Sequence, residues 1–299
     1  MNNVLVLGAS GQLGSALTPL LKGEGNCVFA PKSSDVDICD LGALNRSIDS
    51  HKPSLIINCA AFHNVPVCES QSMDAFRVNF LAVRNLAELC EARGIKLITF
   101  SSDYVFGGEK ATPYDEWDTP APLQVYGMSR LAGEAAVLAW APHFGIVVRT
   151  CGVFGHTVSK SKGLNFVDRR IQEGNQVTSL EMACEQVVSP TYAVDLATAT
   201  LKLAFHPGAV SGIYHLINEG SCSWFDFTCA IYEFAEIPVS VVPVDRRGLS
   251  GDMRRPLNSA LRNNKARSLG ITMPDWRSAL SRYISCSREL ASGSIGSPR

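Results

Sequence analysis

Apolar residues in the first half of the chain fall into short unbroken runs: 4-VLVL-7, 27-CVFA-30, 54-SLIINCAA-61, 95-IKLITFS-101 and 145-GIVVRT-150. Runs of this length without polar alternation mark strands covered on both faces, as in a parallel sheet. The stretches between them, about 12–22, 41–51, 70–93 and 126–141, carry apolar residues at helical spacing. In the third, Ala75, Val78, Asn79, Ala82, Leu86, Leu89 and Cys90 fall on one face. Alternating strands and helices require crossover connections, which are right-handed and place helices on both sides of the sheet. The expected fold is α/β: a doubly wound parallel, Rossmann-like sheet with a smaller C-terminal substrate-binding α/β region.

The pattern loosens near residue 151. Residues 156–164 (HTVSKSKGL) are polar and glycine-containing and read as a mobile loop. Beyond them the spacing predicts a helix over 165–173, a short polar piece over 175–188 and a helix after 189-SPT-191. A strand at 213-IYHLI-217, a helix over 223–236 and a final helix near 274–286 follow. The small polar residues 291–299 read as a disordered tail. The expected division is a dinucleotide-binding domain over 1–155 and a mainly substrate-binding domain over 156–290, some of whose segments return to the sheet.

Composition narrows the function classes. The chain has 299 residues, 46% hydrophobic and 18% charged, enough for a sizeable core. A net charge of −1 gives no electrostatic attraction to nucleic acid. No apolar run approaches the roughly 20 residues of a membrane helix. The opening MNNVLVLGASG lacks a basic start and a cleavage site, so the expectation is no signal peptide and a soluble, cytoplasmic protein. Ten cysteines without a CxxC pair and six histidines without HxxxH spacing predict no metal site. The cysteines read as small core residues in a reducing compartment.

Chemistry begins at 8-GASGQLG-14, between the first strand and the first helix. Glycines at 8, 11 and 14 allow a tight turn, close approach of a pyrophosphate and close helix–sheet packing, while the helix end offers free N–H groups to an anion. Gly8, Ser10, Gly11, Gln12, Leu13 and Gly14 are thus candidate dinucleotide contacts. After the second strand stands Lys32, where an acidic residue would bind a ribose 2′-hydroxyl. A lysine favours a 2′-phosphate, hence NADPH over NADH. Asp40 and Leu41 are placed to bracket the adenine.

The fourth strand ends in 100-FSSDYVFGG-108, and a helix begins at 126-YGMSR-130. Ligands of open α/β sheets bind at the carboxyl ends of strands, which places Ser101, Ser102 and Asp103 beside a nicotinamide. Reduction of a ketone needs a proton donor. A tyrosine has an ordinary pKa near ~10, and a cation one helical turn away lowers it. Tyr126 with Arg130 meets that description, and a serine hydroxyl such as that of Ser102 can hold the carbonyl oxygen.

These segments resemble the extended short-chain dehydrogenase/reductases, and among them the dTDP-4-dehydrorhamnose reductases. The resemblance runs through GASGQLG, NCAAF at 58–62, SSDYVFGG, the block at 122–134, VVRTCGVFG at 147–155, SPTYAVDLA at 189–197, RPLNSAL at 255–261 and PDW at 274–276. It implies an NADPH- or NADH-dependent reductase of a 4-keto-6-deoxy sugar nucleotide, with Ser102 and Tyr126 in the active site. Arg130 stands where the family has lysine: the charge is kept, the shape is not. Ala60, Ala61, Phe62 and His63 are then expected to line the cofactor and Val65 the substrate. Asn165, Phe166 and Arg255 are expected to face the nucleotide sugar. Gly152 replaces a tryptophan that packs on the sugar. Trp224 and Trp276 read as core. A homodimer is the expected assembly. A non-catalytic binding or regulatory protein on the same fold, motivated by Arg130, and a nucleotide-sugar epimerase are the alternatives.

Overall fold

The computed structural model describes residues 1–157, 163–247 and 253–291. Most of the polar loop expected at 156–164, and all but the first residue of the tail expected at 291–299, lie outside them.

Strand β1 (Asn3–Leu7) leads through the glycine turn into α1 (Gln12–Gly23), then β2 (Cys27–Phe29), α2 (Leu41–His51) and β3 (Leu55–Asn58). β3 is shorter than the apolar run that predicts it because Asn58 turns the chain. Its Oδ1 accepts a hydrogen bond from the Ala60 amide at 3.1 Å. The helix expected over 70–93 is composite: α3 (Val65–Ser70), α4 (Ser72–Phe76), a π-helical turn over Arg77–Ala82, and α5 (Val83–Arg93). β4 (Lys96–Ser102), α6 (Val125–Trp140) and β5 (Gly145–Thr150) complete the alternating half.

The second half contributes β6 (Val153–Phe154), α7 (Phe166–Gly174), β7 (Ser179–Ala183), β8 (Val187–Val188), β9 (Thr191–Tyr192), α8 (Ala193–Phe205) and β10 (Gly212–His215). It continues with β11 (Cys222–Ser223), α9 (Trp224–Ala235), β12 (Ser240–Val244), α10 (Asn264–Ser268) and α11 (Trp276–Ala291). The parallel pair β7–β12 is absent from the sequence reading. Its exposed positions, Ser179, Glu181 and Ser240 among them, mask the strands as polar connection.

The main sheet has the order β2–β1–β3–β4–β5–β10, and every pairing is parallel. The chain leaves β1 towards β2 and returns on the other side of β1 as β3. That reversal opens a crevice at the carboxyl ends of β1 and β3, where open α/β sheets bind ligands. One sheet face buries Val4, Val6, Ile57, Ile98 and Val148 against Leu17 and Leu21 of α1 and Leu196 and Leu203 of α8. The other buries Leu5, Leu7, Ile56, Leu97 and Val147 against Leu44, Leu86 and Val137 of α2, α5 and α6. Both faces are therefore dry, which is why the strands read as continuous apolar runs. A separate aromatic core of Phe154, Tyr192, Phe227 and Tyr283 holds α7, α9 and α11 together.

Candidate active site

The glycine turn is shaped by close packing. Gly8 has φ +72°, and a Cβ there would stand 2.7 Å from the Ala60 nitrogen. A Cβ on Gly14 would stand 2.6 Å from Ala9 Cα. Both glycines are demanded by the protein itself. Gly11 is different: a Cβ there meets only the Gly8 carbonyl, at 3.4 Å. Gly11 is also the N-cap of α1, with no side-chain cap and no acid in the first turn. The positive end of α1 is thus left to whatever lies beyond Gly11, and it fits a pyrophosphate. Ser10 and Gln12 flank this end, while Leu13 turns inward onto the core.

Beyond β2, Lys32 and Leu41 are exposed. The Asp40 carboxylate caps α2, accepting from the Ala43 amide at 3.0 Å. Cys59 and Ala60 lie where the loop after β3 meets the glycine turn, and Ala61 follows them in the chain. Phe62 is clamped by Asn79, whose Oδ1 accepts from the Phe62 amide and whose Nδ2 donates to the Phe62 carbonyl, both at 2.9 Å. His63 Nδ1 lies 3.3 Å from the Ala61 carbonyl oxygen. Val65 begins α3, one turn before Glu69, whose carboxylate accepts from the Val125 amide at 2.9 Å. That contact sets α3 against the start of α6.

Ser102 ends β4, and its hydroxyl donates to Asp103 Oδ1 at 2.7 Å. Asp103 Oδ2 accepts from Ser259 Oγ at 2.6 Å and from the Cys151 thiol at 3.0 Å. Burial holds the Asp103 carboxyl above the usual range, although all three hydrogen bonds favour its ionised form. Tyr126 sits in the first turn of α6, its ring edge-on to Tyr104 with centroids 6.1 Å apart. Gln124 caps this helix by accepting from the Gly127 amide. Burial raises the Tyr126 phenol above its ordinary value; the Arg130 charge pulls it down, Asp103 pushes it up, and the neighbouring Ser102 hydroxyl pulls it down. The expectation that a cation lowers this phenol therefore holds for the cation alone. Burial outweighs it.

Arg130 is 6% exposed. Its Nη1 donates to Asn79 Oδ1 at 3.3 Å, and its Nε has no partner. A buried guanidinium with spare donors next to Tyr126 suits a polyhydroxylated or anionic ligand, so it fits a dinucleotide's ribose and phosphates. Asn79 also donates to Ser129 Oγ at 2.9 Å. It therefore joins the loop after β3, α6 and Arg130 from within the π-helical turn, a feature frequent at functional sites.

Towards the C-terminal half, Gly152 has φ +52°, and a Cβ there would stand 3.8 Å from Trp224 Cη2. Trp224 also packs on Phe166, centroids 4.4 Å apart. An indole supplied by α9 therefore stands beside Gly152. The Asn165 amide is spent internally: it caps α7 and donates to the Gly155 carbonyl, Asp168 and the Tyr283 hydroxyl. Arg255 is exposed and close enough to Tyr104 to act on that phenol. Trp276 is buried in the aromatic core.

Sequence reasoning missed Asn79, Cys151 and Ser259 as parts of the site. Asn79 carried a signal, being a polar residue on an otherwise apolar helix face. Cys151 reads as core and is buried, yet it hydrogen-bonds the Asp103 carboxylate. Ser259 is 156 residues from Asp103, and nothing in its local sequence announces the contact.

The family model for the RmlD substrate binding domain matches residues 1–288. The chain belongs to this family. Among its RmlD-family relatives, the dTDP-4-dehydrorhamnose reductase of Mycobacterium tuberculosis is 38% identical over 283 residues, 93% of this chain and 90% of that one. The spore coat polysaccharide biosynthesis protein SpsK of Bacillus subtilis is 34% identical, covering 95% and 97%. The crystal structure of dTDP-4-dehydrorhamnose reductase from Bacillus anthracis in complex with NADP superposes with a TM-score of 0.88 at 33% identity, covering 95% of this chain and 99% of that one. The expected Rossmann-like α/β fold and the resemblance to extended short-chain dehydrogenase/reductases are thus both found. No helix among the described residues is long and apolar enough to cross a membrane.

Proposed function

We propose that this protein is an NADPH-dependent reductase of a 4-keto-6-deoxy sugar nucleotide, acting as dTDP-4-dehydrorhamnose reductases do. The observation that carries the reading is the meeting of Ser102, Asp103, Tyr126 and the buried Arg130 at the carboxyl end of β4, on the sheet edge that also presents the glycine turn. Relatives at 33–38% identity over nearly the whole chain bear names of that activity.

When bound, NADPH supplies the hydride that adds to the sugar C4 carbonyl. Tyr126 gives its proton to the carbonyl oxygen as negative charge develops there, and the Arg130 guanidinium balances the phenolate left behind. Ser102 has one proton and two uses for it: it bonds Asp103 in the free protein, and rotation of the hydroxyl turns it to the substrate oxygen or the phenolate. The uncapped end of α1 receives the pyrophosphate, Lys32 the 2′-phosphate, and Asp40 with Leu41 flank the adenine. Ala60, Ala61, Phe62 and His63 form the wall beside the nicotinamide. On the substrate side stand Val65, Gly152, Phe166 and Arg255, with Arg255 matched to the diphosphate. The Asn165 amide acts through the start of α7 rather than by its own free donors. In this reading, residues 156–290 mainly hold the nucleotide sugar, and the enzyme works in the cytoplasm, where NADPH is kept reduced.

The test is NADPH consumption by the purified protein with dTDP-4-dehydrorhamnose. Steady oxidation with formation of the 4-hydroxy sugar supports the reading. Absence of turnover together with absence of NADPH binding removes it. Arg130 favours a second reading, a non-catalytic binder on the same fold. Turnover in neither the native protein nor the Arg130→Lys variant, with nucleotide still bound, would select it.

A further inference from the structure

Glu134 lies one helical turn beyond Arg130 on α6, and at that spacing a glutamate and an arginine are neighbours. They do not pair. Glu134 instead takes a bidentate bond from Arg149 of β5, Nε to Oε1 at 2.9 Å and Nη2 to Oε2 at 2.6 Å. Both side chains are almost wholly buried, at 1% and 2% exposed. Arg149 is itself fixed: its guanidinium carbon stands 5.0 Å from the Phe106 ring centre, and its strand is held between β4 and β10. Arg130 turns the other way, to the neutral amide of Asn79, and has no carboxylate partner among the described residues.

We propose that Arg149 is a positioning residue that holds Glu134 off Arg130, so that the Arg130 guanidinium stays uncompensated and open to the cofactor and to Tyr126. The placement makes this specific. Tyr126, Arg130 and Glu134 follow one another at i, i+4 and i+8 along α6, and among the described residues Arg149 is the one cation paired with the third of them. Without Arg149, the Glu134 carboxylate has Arg130 one helical turn away on its own helix, and that pair would occupy the donors the ligand needs. The inference rests on the role given above to Arg130 and goes beyond it by assigning a residue that touches neither ligand nor reacting atoms.

Two readouts test it: NADPH affinity by fluorescence titration, which needs no sugar, and the basic limb of the pH profile of kcat/KM. Arg149→Met is expected to weaken NADPH about tenfold and to move the basic limb to higher pH, because the phenol loses its cation. Adding Glu134→Gln to Arg149→Met removes the competing carboxylate, so both readouts are expected to return to within about threefold of the native values. A pair that serves only packing predicts a loss the double variant does not repair, and that result overturns the inference, as does native affinity with an unmoved limb in Arg149→Met. If Arg149→Met does not fold, Arg149→Lys replaces it: a partial loss reversed by Glu134→Gln supports the inference, and one that persists overturns it. Arg130→Met separates the two levels. Loss of affinity there with none in Arg149→Met removes this inference alone, whereas native affinity in Arg130→Met removes the role of Arg130 itself.

Discussion

Gly127 rests so closely on the carbonyl oxygen of Tyr104 that a Cβ on Gly127 would overlap it. This contact presses the first turn of α6, and Tyr126 with it, onto the turn that follows Ser102. Gly127→Ala must therefore push the helix start away from β4. The expected cost is about 1–3 kcal/mol of stability, typical of overpacking. Turnover is expected to fall by about 10²-fold, since misplacement by ~1 Å is enough for that. NADPH affinity, set mainly at the glycine turn, should change little. Chemical denaturation beside steady-state kinetics checks this, and a variant with native kcat contradicts the packing argument.

The glycine turn separates fold from ligand. Gly14→Ala forces a Cβ onto Ala9 and the Gly8 carbonyl, so the unliganded protein should be destabilised by about 1–3 kcal/mol. Gly11→Ala meets almost no protein, and its φ of −83° suits alanine. It should cost less than about 1 kcal/mol without ligand, as alanine caps do, yet weaken NADPH strongly. Thermal melts with and without NADPH distinguish the two. Equal losses of apo stability would refute the assignment of Gly11 to the ligand.

Asn79 is the knot between the loop after β3 and Arg130. Asn79→Ala leaves the Phe62 amide and Arg130 Nη1 without their partners and the Phe62 carbonyl with only the Cys68 thiol at 3.8 Å, at about 1–3 kcal/mol for each group that stays buried and unpaired. Stability and NADPH affinity should fall together. A variant that loses stability but binds NADPH natively would show that the loop is held by other means.

His215 predicts an acid-sensitive fold. Its ring is fully buried, and burial followed by the Arg149 charge lowers its pKa to about 3. The unfolded chain titrates near ~6.5. Above that pH neither state takes the proton, so the site has no effect. Between ~6.5 and the folded value only the unfolded chain is protonated, and stability falls by up to ~1.4 kcal/mol per pH unit of acidification. Urea unfolding at pH 7 and pH 5 should show the native protein losing about 2 kcal/mol more than His215→Gln. Equal slopes would contradict this.

The sequence made the sheet legible because both its faces are buried, so β1, β3, β4 and β5 appear as apolar runs with few competing signals. It hid β7 and β12 because exposed strands of a two-stranded pair carry no such run. The π-helical turn was invisible because hydrophobic spacing does not distinguish it from an α-helix. Within the site, the order of glycine turn, Ser102 and Tyr126 could be read because one crossover topology brings them together. The Asp103–Ser259 bond and the Arg149–Glu134 pair could not, since each depends on long-range packing rather than on local spacing. The direction of the Tyr126 shift was misjudged for a related reason: a nearby cation can be read from i, i+4, but the desolvation that overrides it cannot.

The proton-donor role of Tyr126 is tested most directly by comparing NADPH-dependent reduction of dTDP-4-dehydrorhamnose by the native protein and by Tyr126→Phe, with NADPH affinity measured for both. Native turnover, an approximately 10²–10⁴-fold lower kcat in the variant and unchanged NADPH affinity are the predicted result. A phenylalanine variant as fast as the native protein would contradict it.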